Sequence, residues 1–263
     1  MITSVHNPKM QAVRRLQAQA RQRRAERAFV LEGVRLVEEA WQAGWMAKQV
    51  FFTSQLDERG RAVVEGFANK GTSVEQVSEG VMISICETET PQGLLAVVSQ
   101  QILPLPPSLD FLLILDGMRD PGNLGTILRS ATAAGVQGVL LAPGCVEAWS
   151  GKVLRAGMGA HFRLPIHALH WPDIRGTIRG PTSGLKVFLA DSAGGMAYTQ
   201  ADFRAPLALI VGGEAAGAGS EAQALADDKV HIPMPGGSES LNAAIAAGIL
   251  LFEVVRQRSQ LMG

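Results

Sequence analysis

Four short apolar runs in the second half of the chain constrain its fold more than anything else: FLLILD (111–116), GVLLAP (138–143), KVFLAD (186–191) and PLALIVG (206–212). Each reads as a strand that is apolar on both faces, and stretches of helical spacing lie between them. Strands of this kind need cover above and below, and when helices join them the solution is a parallel sheet between helix layers. Helices are expected at 123–134, 150–159, 220–225 and 241–258.

The first hundred residues have a different grain. Residues 7–28 are rich in Gln, Ala and Arg and read as a helix, with Asn7-Pro8 as its start signal. FVLEGVRLVEEAWQAGW (29–45) begins as a strand and continues with helical spacing through Val34, Val37 and Trp41. Further strands are expected at 50–54, 73–78 and 93–99, and a helix at 61–71. This describes a small α/β domain at 1–101. ILPLPPSLD (102–110) holds three prolines and reads as a linker. Residues 111–263 form the second domain.

At 263 residues the chain has room for two such domains, and 47% hydrophobic content supplies their cores. No apolar run reaches the roughly 18 residues that span a bilayer, and MITSVHNPKMQAVRR has no apolar signal region. Cys86 and Cys145 are far apart and fit no paired motif, so they read as free thiols in a reducing cytoplasm. His161, His167 and His170 match no metal-ligand spacing, and no metal is expected. The formal net charge is zero, which argues against indiscriminate nucleic-acid binding. Within residues 1–30, however, Lys9, Arg14, Arg15, Arg21, Arg23, Arg24 and Arg27 face the single acid Glu26. Such a stretch either holds phosphates or forms a solvated helical face.

Three segments carry chemistry. In LLILDGMRDPGNLGTILRSATAAG (112–135) a strand ends at Asp116, a polar loop follows, and a helix packs through Leu124, Ile127, Leu128 and Ala131. Asn123 is suited to cap that helix, and Arg129 falls off its apolar stripe. In PLALIVGGEAAGAG (206–219) a buried strand runs into a Gly/Ala loop with Glu214 at its mouth; such glycines let a ligand approach the backbone. In VHIPMPGGSESLNAAIAAGILLFE (230–253) a strand breaks at Pro235-Gly236-Gly237, and Ser240 and Asn242 flank a leucine where an Ala-rich helix opens. GGEAAG lacks the spacing of a dinucleotide fingerprint, and Gly151-Lys152 belongs to no P-loop pattern.

In this order the three segments resemble the three motifs of the SpoU (TrmH-like) family of RNA 2′-O-ribose methyltransferases, within the SPOUT superfamily. NPK at 7–9 and FVLEGVRLVEEA at 29–40 are similar to the substrate-binding domain of its rRNA-modifying members. The resemblance implies a parallel α/β sheet with a C-terminal deep trefoil knot, preceded by a small L30e-like α/β domain that binds RNA. It implies S-adenosylmethionine as cofactor, held around Gly212, Gly213, Ile232, Met234 and Leu241, and a homodimer. Catalytic positions carried over are Arg129, Asn123, Glu214, Ser240 and Asn242. Lys9, Arg14, Arg15, Arg21, Arg23 and Arg24 become RNA-binding candidates. The implied activity is 2′-O-methylation of a ribose, most consistent with large-subunit (23S) rRNA; a tRNA substrate, or a non-catalytic RNA-binding or ribosome-assembly role, are the alternatives.

Overall fold

A computed structural model describes residues 1–180, 183–213 and 217–260. The chain divides into two compact units: Met1–Gln101 with Trp149–Phe162, and Ile102–Ala148 with the residues from Arg163 onward.

The first unit holds a four-stranded mixed sheet of β1 (Ala28–Glu32), β2 (Ala47–Phe52), β3 (Ser73–Gln76) and β4 (Leu94–Ser99) in the order β1-β4-β2-β3. β4 is antiparallel to both of its neighbours, and β2 and β3 run parallel. Its helices are α1 (Pro8–Ala18), α2 (Ala20–Glu26), α3 (Val34–Gln42), α4 (Glu58–Asn69) and α5 (Glu79–Ile85). α1 starts as its sequence dictates: the Asn7 side chain accepts from the Lys9 N–H at 2.9 Å, with Pro8 at the first position.

The single helix expected over 7–28 is instead two helices, broken where Gln19 adopts an extended backbone (φ −123°, ψ 112°). Arg23 explains how the break is tolerated. Its side chain is buried, and Nη1 donates to the Leu16 and Gln17 carbonyls at 2.6 and 2.7 Å. Those carbonyls end α1, where the helix has no amide to offer them.

The segment Trp149–Phe162 contributes an aromatic cluster to this unit. Trp149 lies 4.8 Å from Phe29 and 5.7 Å from Trp45, ring centre to ring centre, and the Trp45 indole N–H donates to Phe162 O at 3.2 Å. These aromatic side chains are buried, which is why a piece of the sequence read as second-domain helix packs here.

The second unit is built on a seven-stranded parallel sheet. In chain order its elements are β5 (Phe111–Asp116), α6 (Pro121–Ala133), β6 (Gly138–Leu141), β7 (Ile166–Ala168), α8 (Trp171–Arg179), β8 (Lys186–Ala190), β9 (Met196–Ala197), β10 (Leu207–Gly212), α9 (Ser220–Leu225), β11 (Asp228–His231) and α10 (Ala243–Ser259). The helix α7 (Gly151–Gly157) lies in the segment that packs in the first unit. The strand order is β7-β6-β5-β10-β8-β11-β9, and every pairing is parallel.

The apolar strands are buried on both faces, as their composition requires. Leu112, Ile114, Val187, Leu189, Ala208 and Ile210 pack in one cluster with Ile174 and Ile178 of α8 and Ala222 and Leu225 of α9. α10 packs against α6 and β10. Ile102–Asp110 has neither helix nor strand, yet Leu105 and Leu109 pack on this second core, so the proline-rich segment is moored rather than a free spacer. Among the described residues no helix is long and apolar enough to cross a membrane.

Two measurements check this packing. Arg23→Ala is expected to lower stability by about 1–3 kcal/mol in urea denaturation, because charged hydrogen bonds to the carbonyls that end α1 are lost; Arg24→Ala, on an exposed side chain, is expected to change it by less than about 0.5 kcal/mol. Both cysteines are free. Burial, and then the Glu32 carboxylate, push the Cys86 thiol up to about 12, and burial raises that of Cys145. Neither thiol is therefore expected to react rapidly with a disulfide reagent at pH 8 until the protein is denatured, when both should titrate.

Candidate active site

In the second unit the chain runs from β5 outward through β6 to β7, then returns to the other side of β5 for β8 and β10. Such a reversal leaves a crevice beyond the carboxyl ends of the strands, where open α/β sheets bind ligands. A cavity of about 590 Å³ lies at the ends of β8, β10 and β11, within the size range of small-molecule sites. Its lining includes the apolar side chains of Val211, Ile232, Leu241, Ala246 and Leu250.

The wall after β10 is glycine for a steric reason. A Cβ on Gly212 would lie 2.4 Å from Gly217 C and 2.5 Å from Ala218 N, and one on Gly213 would lie 2.3 Å from Gly117 O. These neighbours are backbone and cannot swing away, so no larger residue fits without moving the chain. Asp116 fastens the same loop at two points. Its carbonyl accepts from the Gly213 N–H at 2.8 Å, and its buried carboxylate accepts from the Gly219 N–H at 2.7 Å. Gly213 and Gly217 also pair across the loop.

The wall after β11 comes from the segment between His231 and α10. It turns at Gly237 (φ +75°), whose N–H donates to Met234 O at 3.1 Å. Ser238 Oγ donates to Ser240 O at 3.1 Å. Leu241 is 37% exposed beside the cavity, a position suited to covering an apolar ligand face.

Asn242 joins this wall to α6. Its Oδ1 caps α10 by accepting from the Ala244 and Ile245 N–H groups at 2.9 and 3.2 Å. With the oxygen so committed, the amide nitrogen is left facing Asn123, and Nδ2 donates to Asn123 Oδ1 at 3.0 Å. The expectation that Asn123 caps α6 is corrected: Asp120 is the cap, its carboxylate accepting from the Asn123 N–H at 2.7 Å, with Pro121 at the first helical position. With Asp120 as the cap, the Asn123 side chain meets Asn242 instead of its own helix start. The loop before α6 is held from beneath by Cys145, whose thiol donates to Leu115 O at 3.2 Å and accepts from the Met118 N–H at 3.4 Å.

Gly212, Gly213, Ile232, Met234 and Leu241 all line the cavity, with Ser240 and Asn242. Arg129 is exposed on α6 and is not part of the lining. Glu214 lies outside the described residues. Asp191, Ser192, Gln223 and His231 also line the cavity and were not anticipated. Asp191 had a signal in the sequence, since it directly follows an apolar strand.

The basic residues of the first unit separate. Arg15, Arg21 and Arg24 are exposed, Lys9 pairs with Glu75, and Arg14 donates to Ser84 O at 3.2 Å. Arg23 is the exception, buried against α1 with its guanidinium committed to carbonyls. That placement corrects its expectation as an RNA-binding residue, since its buried side chain is engaged inside the fold.

A doubly covered parallel sheet with a backbone-walled pocket at its strand ends, and an Asn–Asn tie across that pocket's edge, defines an α/β protein of the small-molecule-binding class. The chain belongs to the SpoU rRNA Methylase family, whose profile matches residues 110–252. Residues 7–96 match the MRM3-like substrate binding domain. The chain is 32% identical to the 23S rRNA (guanosine(2553)-2′-O)-methyltransferase RlmP of Bacillus subtilis, over 96% of this chain and 98% of that protein. It is 35% identical to human mitochondrial rRNA methyltransferase 3, over 87% of this chain and 67% of the human one. An AdoMet-bound rRNA methyltransferase from Sinorhizobium meliloti superposes with a TM-score of 0.87 at 34% identity, covering 97% of each chain.

The two jobs of Asn242 separate by substitution. Asn242→Ala is expected to cost about 1 kcal/mol for the lost cap. Asn242→Asp keeps the cap oxygens while removing the donor to Asn123, so its unfolding midpoint should stay close to wild type. A large loss of stability in the Asp variant would place the Asn123 contact in the fold rather than in the site.

Proposed function

We propose that this protein transfers a methyl group from S-adenosylmethionine to a ribose 2′-hydroxyl of RNA, with large-subunit (23S) rRNA as the favoured target. The observation that carries the reading is the Asn242–Asn123 hydrogen bond, which joins the third family motif to the first at the edge of the cavity. The RlmP relative, aligned over nearly the whole of both chains, supports the rRNA assignment.

The cavity fits the cofactor in chemistry as well as size. Apolar side chains of Ile232 and Leu241 suit the faces of a purine, and the glycine wall leaves backbone groups within reach of its edge. When bound, S-adenosylmethionine supplies an electrophilic methyl on a sulfonium. The protein's own work is alignment, because in-line attack needs the 2′-oxygen, the methyl carbon and the leaving sulfur collinear. As the new C–O bond forms and the C–S bond breaks, the hydroxyl proton must leave.

Arg129 is assigned the hydroxyl and its adjacent phosphate. A guanidinium does not give up its proton in a protein, so its contribution is stabilisation of charge developing on the 2′-oxygen. Glu214 is assigned as the proton acceptor or as the group that holds Arg129. Asn123, Ser240 and Asn242 position the ribose and the arginine.

The same reading includes four further features. The C-terminal segment forms a deep trefoil knot, a reading supported by its residues 240–250 lining one cavity with the loop after β10. Two chains pair through α10, supported by Ile245 and Phe252, which are 56% and 49% exposed on it. The first domain, residues 1–101, is L30e-like and binds RNA through Lys9, Arg14, Arg15, Arg21 and Arg24. The protein acts in the cytoplasm, where its RNA substrate and a reducing environment coincide.

Arg129→Ala is expected to lower the methyl-transfer rate about 10²–10³-fold while leaving S-adenosylmethionine affinity within about twofold. Asn242→Asp should lose turnover by a similar factor in a folded protein. Wild-type turnover by Arg129→Ala would remove that residue from the chemistry.

A further inference from the structure

The catalytic and cofactor positions discussed so far lie on α6 and on the loops after β10 and β11. The wall at the end of β8 has been given no role, and Asp191 stands there. Its N–H donates to Val230 O at 3.0 Å, which fixes the residue where β8 and β11 both end. Among the described lining residues it is the one carboxylate, and neither lysine nor arginine shares the lining.

The carboxylate is built to stay charged and oriented. Oδ2 accepts from Lys229 Nζ at 2.9 Å and Oδ1 from the Ala193 N–H at 3.0 Å. The Lys229 hydrogen bond, and then the Ala193 amide, hold its carboxyl below the usual carboxylate range. A carboxylate has about four lone-pair sites, so each oxygen can accept again.

We infer that Asp191 is a cofactor-binding residue whose carboxylate accepts hydrogen bonds from the vicinal 2′- and 3′-hydroxyls of the cofactor's own ribose. The inference rests on the S-adenosylmethionine reading above. The vicinal diol offers two neutral donors at a spacing that two carboxylate oxygens can meet together. The cofactor's carboxylate is repelled at this position. Its ammonium gains less from an anion that already carries the Lys229 cation. A strand-end carboxylate that grips a ribose hydroxyl is also the solution found in dinucleotide-binding α/β sheets.

The test is a calorimetric comparison of S-adenosylhomocysteine with its 2′,3′-dideoxy counterpart, on the full-length wild type and on Asp191→Ala. Wild type should prefer the diol ligand about tenfold or more, the worth of hydrogen bonds to a charged group. Asp191→Ala should bind the two ligands within about threefold, with its loss confined to the diol ligand. Asp191→Asn keeps an acceptor and should restore part of the preference.

A variant that weakens both ligands equally would make Asp191 a brace between strands and overturn the inference, as would a wild type indifferent to the diol. Failure of the wild type to bind either ligand would bring down the cofactor reading along with it.

Discussion

Backbone passes backbone at Gly212 and Gly213 with no room for a side chain, and the rest of the site depends on that passage. A methyl group at either position would strike main-chain atoms of Gly217, Ala218 or Gly117 at 2.3–2.5 Å. Because the loop after β10 can lie this close to the ends of β5 and β10, Asp116 can grip it through both its carbonyl and its carboxylate. The loop then forms one wall of a cavity that the segment leading into α10 also lines.

Capping residues perform a second duty around that opening. Asp120 caps the start of α6 by accepting from the Asn123 N–H. Asn242 satisfies the first amides of α10 with its oxygen and points its nitrogen at Asn123. Each helix start is therefore both a structural terminus and a support for the polar edge of the site. Groups held this way cost little reorganisation at the moment of reaction, which is the property a positioning catalyst needs.

Much of this was legible in the sequence because its signals are local. FLLILD, GVLLAP, KVFLAD and PLALIVG are apolar on both faces and became β5, β6, β8 and β10 of a parallel sheet. Two glycines after a buried strand marked a wall of the cavity. Other features depend on partners far away in the chain. The break at Gln19 has no glycine or proline to announce it, and it is sustained by a buried Arg23 that charge counting assigns to the surface. Asn123 looked like the cap because its residue type suits one, but Pro121 at the first helical position marks Asp120 as the residue before the helix. α8 and α5 went unread in the sequence, although α8 places Ile174 and Ile178 at helical spacing. The packing of residues 149–162 in the first unit follows from Trp149 meeting Phe29 and Trp45, which no local pattern encodes.

If the cavity and the Asn–Asn tie serve methyl transfer to RNA ribose, the protein must place a methyl group on ribose 2′-oxygens. The most direct test incubates the purified protein with isotope-labelled S-adenosylmethionine and unmodified bacterial rRNA and tRNA fractions, followed by nucleoside mass spectrometry. Label is expected on 2′-O-methyl nucleosides from large-subunit RNA. Label confined to bases, or no label in any RNA from a preparation that also fails to bind the cofactor, would contradict it.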